Sequence, residues 1–268
     1  MKFINYLIGS IFVGLVIVAS TGYFISRTLL SANYLDSTLQ SADMYNQIST
    51  EVVDGIKLNV PAEQKKLVES KIGNTLTPEF ITAKLKQMIF DTEKYLKSDG
   101  KIPEIDLSSI KNQLSQNGIN LSEAEMPSSL KLTDDSATNL AKNYQNYQKA
   151  QKTTWIILII LTLIMLFIAI HKKNFSNLIT VLFISALIQL GVFFGATKLL
   201  PILEKKFIVE ANFGDFIDFS NSLVKFVDIL AKDLARQGLI FCFGFASLAI
   251  ILFILQRLVF KSPSNNYS

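Results

Sequence analysis

The stretch Thr154–Leu199 reads TWIILIILTLIMLFIAI, then HKKN, then FSNLITVLFISALIQLGVFFGATKL. It decides the fold. About 20 mostly apolar residues in helical form cross the ~30 Å hydrocarbon core of a bilayer. The first run, Thr154 to Ile170, is nearly unbroken Ile and Leu and somewhat short. The second, Phe175 to Leu199, carries Gln189 at mid-span and Lys198 near its end. Only His171, Lys172, Lys173 and Asn174 separate them, which leaves room for a tight antiparallel return and nothing else.

Two further runs flank this pair. Ile4 to Ile25 holds no charge, and Gly238 to Phe260 keeps Gln256 and Arg257 to its end. Core helices of a soluble protein are the alternative reading. Four runs of this length with a mean hydropathy of +0.35 disfavour it. A basic N-terminus before an apolar run is also signal-peptide grammar, and Ala19, Ser20, Thr21 and Gly22 form a weak cleavage site. The run is long enough to span, so an uncleaved anchor is expected.

The chain therefore divides as follows. Residues 1–27 are a first transmembrane helix and 28–153 a helical extracytoplasmic domain. Residues 154–260 hold three transmembrane helices with an amphipathic outer loop at 200–237, and 261–268 form a disordered tail. The fold class is all-α: four transmembrane helices in a 1+3 layout, with the helical domain inserted between helices one and two.

Orientation follows from lysine and arginine in short loops. The 171–174 loop is basic and free of acids, and Lys2, Arg257 and Lys261 lie on the same face. The opposing loop also carries Lys205, Lys206, Lys225, Lys232 and Arg236. The balance places both termini in the cytoplasm and the large domain outside a cell membrane. Helices in lipid associate through small residues. Gly191 with Gly195, Ser10 with Gly14, and Gly244, Ala246 and Ala249 are the expected seams, within one subunit or between two.

The polar insert is patterned for helices. Leu35, Leu39, Ala42, Tyr45, Ile48, Val52 and Ile56 step by three and four, one face of an amphipathic helix capped by Ser31 or Asn33. A second helix from Pro61 carries Val68, Ile72 and Leu76. Thr77-Pro78-Glu79 is a start signal for a helix with Ile81, Leu85, Met88, Ile89, Thr92, Tyr95 and Leu96 inward, ended by Gly100. Ile102 to Leu107 reads as an extended connector with one short edge strand, and Asp106 or Ser108 caps a brief helix to Leu114. Gly118 to Ser129 is expected to be a mobile loop.

Thr133, Asp134 and Asp135 open another helix. No Gly or Pro occurs from Ser128 through Leu190, so this helix is expected to run unbroken into the second span. Leu140, Tyr144, Tyr147, Gln151 and Trp155 share one face, and Tyr144, Tyr147 and Trp155 stand as an interfacial aromatic belt or as stacking groups for a ligand. In the 200–237 loop, Phe216, Phe219, Leu223, Val227, Leu230 and Leu234 repeat at helical spacing, and Asp228 with Lys232 is an i,i+4 pair.

Composition excludes several chemistries. With His171 and Cys242 the sole residues of their types, a His cluster, a Cys/His nucleophile and an intrachain disulfide are ruled out. The 28–153 insert holds 14 lysines and 16 carboxylates, a net −2 that offers nucleic acid no basic patch. Deep in the spans no side chain ionises, which disfavours an ion-coupled transporter. Lysine outnumbers arginine 23 to 3, the bias of an AT-rich bacterial genome.

Residues Thr28 to Ile56 read TLLSANYLDSTLQSADMYNQISTEVVDGI, and Leu76 to Leu114 read LTPEFITAKLKQMIFDTEKYLKSDGKIPEIDLSSIKNQL. Together they resemble a set of uncharacterised bacterial four-span membrane proteins that carry a helical extracytoplasmic domain between spans one and two. The shared motifs are helix caps and packing residues, so the resemblance implies architecture and no activity. Claudin-like and tetraspanin patterns, which need outer-loop cysteines, do not fit.

The leading expectation is a non-enzymatic envelope protein whose outer domain binds a protein, lipid or wall component. The alternative is a subunit of a transport or lipid-handling system. An enzyme ranks third, with Glu104, Asp106, Asp134 and Asp135 as the acids available to pair. No residue is assigned a catalytic, cofactor-binding or metal role. Expected partners are membrane lipids and an outer-face protein, without nucleic acid, and the oligomeric state stays open.

Overall fold

The computed structural model describes residues 2–59, 77–98, 101–116, 122, 128–131, 133–210 and 217–259. Among them are eight helices and two short strands, which bears out the all-α reading. The chain forms two compact units. One comprises Met1–Ser26, Gln148–Leu203 and Leu230–Ser268; the other comprises Arg27–Tyr147 and Glu204–Ile229.

The first unit holds the apolar helices: α1 (Lys2–Arg27), most of α6 (Asp134–His171), and the larger parts of α7 (Ser176–Glu210) and α8 (Ile217–Val259). The windows Tyr6–Arg27, Asp134–His171, Ser176–Leu199 and Ser222–Leu258 have the length and apolar composition of membrane spans, with mean hydropathy from 2.1 to 2.8. Only 17–39% of each window is buried within the protein, so most of the apolar surface faces outward. A helix apolar on every face suits lipid and not water. The core comes from Phe12, Val16 and Ala19 of α1, Leu158, Met165 and Ala169 of α6, Leu178 and Leu182 of α7, and Ala249 and Leu252 of α8.

The tight return between α6 and α7 is as short as its sequence requires. Lys173 takes a left-handed conformation (φ 49°), and the Asn174 amide donates to the Ala169 carbonyl at 2.9 Å. The Asn174 side-chain oxygen then accepts from the Ser176 amide at 2.8 Å and starts α7.

Within one chain, the expected seams hold at Ala249 and not at the glycines. A Cβ at Gly14, Gly191, Gly195 or Gly244 would meet nothing within 4 Å, whereas Ala249 is buried. The close approaches are made by other glycines. A Cβ at Gly9 would sit 2.8 Å from Val181 Cγ2. One at Gly22 would collide with the Gln151 side chain, and one at Gly238 with Phe193. GxxxG spacing marks where backbones can approach, but the bulky partner side chain decides where they do.

The second unit is built from α2 (Ala32–Ser41), α3 (Met44–Asn59), α4 (Pro78–Ser98), β1 (Glu104–Asp106), α5 (Ser108–Gln116), β2 (Ser129–Lys131) and the first turns of α6. The single helix expected over Leu35–Ile56 is two. Asp43 adopts φ 60°, a conformation that short polar side chains tolerate, and the chain breaks there between α2 and α3. The Asp43 carboxylate accepts from the Asn46 side-chain amide at 2.6 Å, which steadies the break.

The caps stand where the sequence puts them. Ser31 Oγ accepts from the Tyr34 amide at 3.4 Å, Thr77 Oγ1 from Phe80 at 3.3 Å, and Thr133 Oγ1 from Ser136 at 3.4 Å. The Asp106 carboxylate accepts from both the amide and hydroxyl of Ser108, which holds its carboxyl below the usual range. The edge strand is present as β1. Its antiparallel partner β2, with Ile105 opposite Leu130, was not anticipated, and it claims Ser129 from the expected loop.

The helix expected from Pro61, the Gly100 stop and the tail at 261–268 lie outside the described residues, as does most of the loop before Ser128. One further expectation holds and two change. α6 does run unbroken from Asp134 to His171, 38 residues and ~57 Å at ~1.5 Å each. Its buried face near the start is Ala137 and Ala141 against Tyr95 and Leu96, while Leu140 is exposed. The 200–237 loop is not a separate element, since α7 extends through Pro201 to Glu210 and α8 is already helical from Ile217. Asp228 and Lys232 are both exposed on α8.

Candidate functional site

In the second unit, α2, α3 and α4 do not close completely on one another. They enclose a cavity of about 330 Å³. Leu29, Leu30, Leu35 and Leu39 line one side, Tyr45 and Ile48 a second, and Leu85, Met88, Ile89 and Leu96 a third. Thr92 and Glu93 are its polar margin. This volume is at the lower end of ligand sites, which are mostly apolar with a few placed polar groups.

The positions follow from the helical period. Leu85, Met88, Ile89, Thr92 and Leu96 fall on one stripe of α4, and Leu35 with Leu39 on one stripe of α2. The sequence marked these as core, correctly for Tyr45 and Leu96, which are buried. Leu35, Leu39, Ile48, Leu85, Met88 and Ile89 remain half-exposed around the cavity.

A polar clasp fixes the three helices around this space. Tyr45 Oη donates to Asp36 Oδ1 at 2.8 Å. Lys86 Nζ lies 3.1 Å from the same carboxylate and 5.5 Å above the Tyr45 ring. One carboxylate of α2 thus ties α3 and α4. Burial, reinforced by the Asp36 carboxylate, pushes the Tyr45 phenol well above its ordinary value of 10.0. At the polar margin Lys97 Nζ pairs with Glu93 Oε1 at 2.6 Å, and this hydrogen bond raises the lysine. The Asp36–Lys86 pairing joins residues 50 apart, and no spacing rule reveals it. The one sequence hint is an acid set beside an apolar stripe.

The four candidate acids separate into two places. Glu104 and Asp106 share one face of β1 and, with Lys84, Asp91, Lys94 and Lys101, line a polar recess of about 460 Å³. Asp106 is committed to capping α5. Asp134 and Asp135 are exposed at the start of α6, with Asp134 3.9 Å from Lys131. No group of three His, Cys, Asp or Glu residues is set to hold a metal ion among the described residues.

Gln189, the mid-span polar residue, is 0% exposed. Its Nε2 donates to the Val16 carbonyl at 3.2 Å and to Ser20 Oγ at 2.7 Å, while its Oε1 has no partner among the described residues. Gln151 makes a second bond of this kind, donating to the Ala19 carbonyl at 2.8 Å. Ser185 is buried and Thr180 exposed, and each donates to a carbonyl one turn back on its own helix. Both glutamines hold α1 in place. Trp155, expected in an aromatic belt, is 38% exposed on α6.

Comparison with protein-family models, curated proteins and solved structures finds no match for this chain.

Proposed function

We propose that this chain is a multi-pass protein of a bacterial cell membrane, without catalytic activity, whose helical unit lies outside the cytoplasm and binds an acyl or similar alkyl chain. The observation that carries this reading is the apolar cavity among α2, α3 and α4, framed by a partly buried polar clasp. It makes the protein a lipid-binding member of the envelope. A transport path through the spans has less support, because Gln189 is spent on helix packing.

The magnitudes set what to expect. Each methylene the cavity covers contributes up to ~0.8 kcal/mol of transfer energy. Association costs ~4 kcal/mol or more. An alkyl chain therefore needs more than about five covered methylenes to bind, and Thr92, Glu93 and Lys97 stand where a head group would add to it.

The test uses the full-length protein in nanodiscs and a fluorescent 16-carbon fatty acid. Saturable binding is expected, weakened at least tenfold by Ile48→Trp or Met88→Trp, with helicity by circular dichroism unchanged. Wild-type signal equal to that of empty nanodiscs would sink the reading. Sidedness has its own test: Ser109→Cys in a Cys242→Ala background should react with an impermeant maleimide on intact cells, and protection there until lysis would reverse the orientation.

A further inference from the structure

A second cavity lies wholly among the apolar helices. Beside the close contact of Gly9 with Val181, α1 and α7 line a groove of about 450 Å³. Its wall is graded. Tyr6, Ser10, Asn177 and Thr180 stand toward the end where α7 starts, and Val13, Ile184 and Ile188 continue it along the helices. From Asn177 to Ile188 the gradient extends ~16 Å at ~1.5 Å per residue. The four polar side chains are exposed. The Ser10 and Thr180 hydroxyls donate to the Tyr6 and Ser176 carbonyls, both at 2.9 Å, and so present their oxygens as acceptors. Asn177 also borders a small adjoining cavity of about 50 Å³ shared with Lys172 and Asn174.

We propose that this groove seats an anionic phospholipid. One acyl chain lies along Val13, Ile184 and Ile188. The glycerol and ester region meets Ser10, Asn177 and Thr180, and the phosphate is drawn to Lys172. Two observations select this occupant. First, the groove is polar at one end and apolar at the other, as a lipid is. The outward face of α6, by contrast, is apolar throughout at Ile159, Leu163, Phe167 and Ile170. Second, the polar end abuts the 171–174 turn, which holds Lys172 and Lys173 and no acid. Basic groups at the membrane surface attract anionic lipids. The site is independent of the cavity among α2, α3 and α4.

The experiment is native mass spectrometry of the full-length protein released from nanodiscs of equal phosphatidylglycerol and phosphatidylethanolamine. Wild type should retain phosphatidylglycerol at least fivefold over phosphatidylethanolamine. Lys172→Gln should bring that ratio toward one. Asn177→Leu with Thr180→Leu should halve the lipid retained or lower it further, and Thr180→Val alone serves if the double variant does not fold. Phe167→Leu, on the outward face, should change nothing. Equal retention of the two lipids by wild type, or groove variants matching wild type, would overturn the proposal. So would efficient cross-linking of Ser10→Cys (Cys242→Ala background) between two copies, which would assign the groove to a second chain.

Discussion

The two units solve the packing problem with opposite materials. In the helical unit, apolar stripes drive α2, α3 and α4 together, and one carboxylate, Asp36, sets their register. In the membrane-type unit, apolar surface is nearly everywhere and selects nothing, because lipid is as apolar as leucine. There the choice falls to glycines that admit one bulky neighbour and to two glutamines, one of them fully buried, on α1's carbonyls. Hydrophobicity assembles one unit, and shape and hydrogen bonds assemble the other. Substitutions of equal size should therefore have different consequences in the two.

The largest effect is expected at Gly238. A methyl group there collides with Phe193 near its Cβ, where the side chain has no freedom to swing away. Overpacking of this kind costs ~1–3 kcal/mol, so Gly238→Ala should lower the unfolding midpoint in detergent by several degrees. The same change at Gly191 or Gly195, which face open space, should be silent. Equal loss at all three would break the comparison, since it would mean that spacing and not the opposing side chain sets the seam.

Gln189→Leu comes next. It removes two hydrogen bonds and, with them, an unpaired buried oxygen. Hydrogen bonds between membrane helices contribute ~0.6 to 1.7 kcal/mol, so a loss of ~1 kcal/mol is expected by detergent unfolding. Gln189→Glu should cost more, by setting an ionisable group in the bilayer. A Leu variant as stable as wild type would show that glycine contacts alone position α1.

Tyr45→Phe sharpens the other side of the comparison. It should cost ~1 kcal/mol at neutral pH, for one hydrogen bond to a charged acceptor that keeps Lys86. The pH dependence follows from the raised phenol. Above 10.0 the unfolded tyrosine loses its proton while the folded one keeps it. Stability from this group is thus complete below pH 10 and falls as pH rises beyond it. Alkaline titration by circular dichroism should show that decline in wild type and a flatter profile in the variant. Matching slopes would remove Tyr45 from the clasp.

The legibility of the two units differs for the same physical reason. Spans, caps and the long α6 follow from local rules: apolar length, a threonine or serine before a helix, and the lack of Gly or Pro after Ser128. What escaped depends on contacts distant in sequence. The spacing of Gly191 and Gly195 says that close approach is permitted, but Phe193 beneath Gly238 is found only in space. Likewise, the stripe residues of α2 and α4 look like core from their period, and only the assembled helices show that they surround a cavity. Strand β2 was missed because three residues of edge pairing leave no periodic trace.

The smallest effect is expected from Asp43→Gly, at the break between α2 and α3. The stripe through Leu39, Ala42, Tyr45 and Ile48 is compatible with one straight helix, and the structure bends it at Asp43 with φ 60°. Left-handed backbone costs an ordinary L-residue ~1–2 kcal/mol. Aspartate lowers that cost through its own bond with Asn46. Asp43→Gly relieves the backbone but loses that bond and loosens the unfolded chain, so the net change should be within ~0.5 kcal/mol. Asp43→Val supplies no polar group and forces the strained conformation on a branched side chain, and ~1–2 kcal/mol should be lost. The bend also aims Tyr45 back at Asp36 across the turn, so the fatty-acid affinity should fall with Asp43→Val and hold with Asp43→Gly. If Val is tolerated in both stability and binding, the bend is incidental to the cavity, and the clasp alone shapes it.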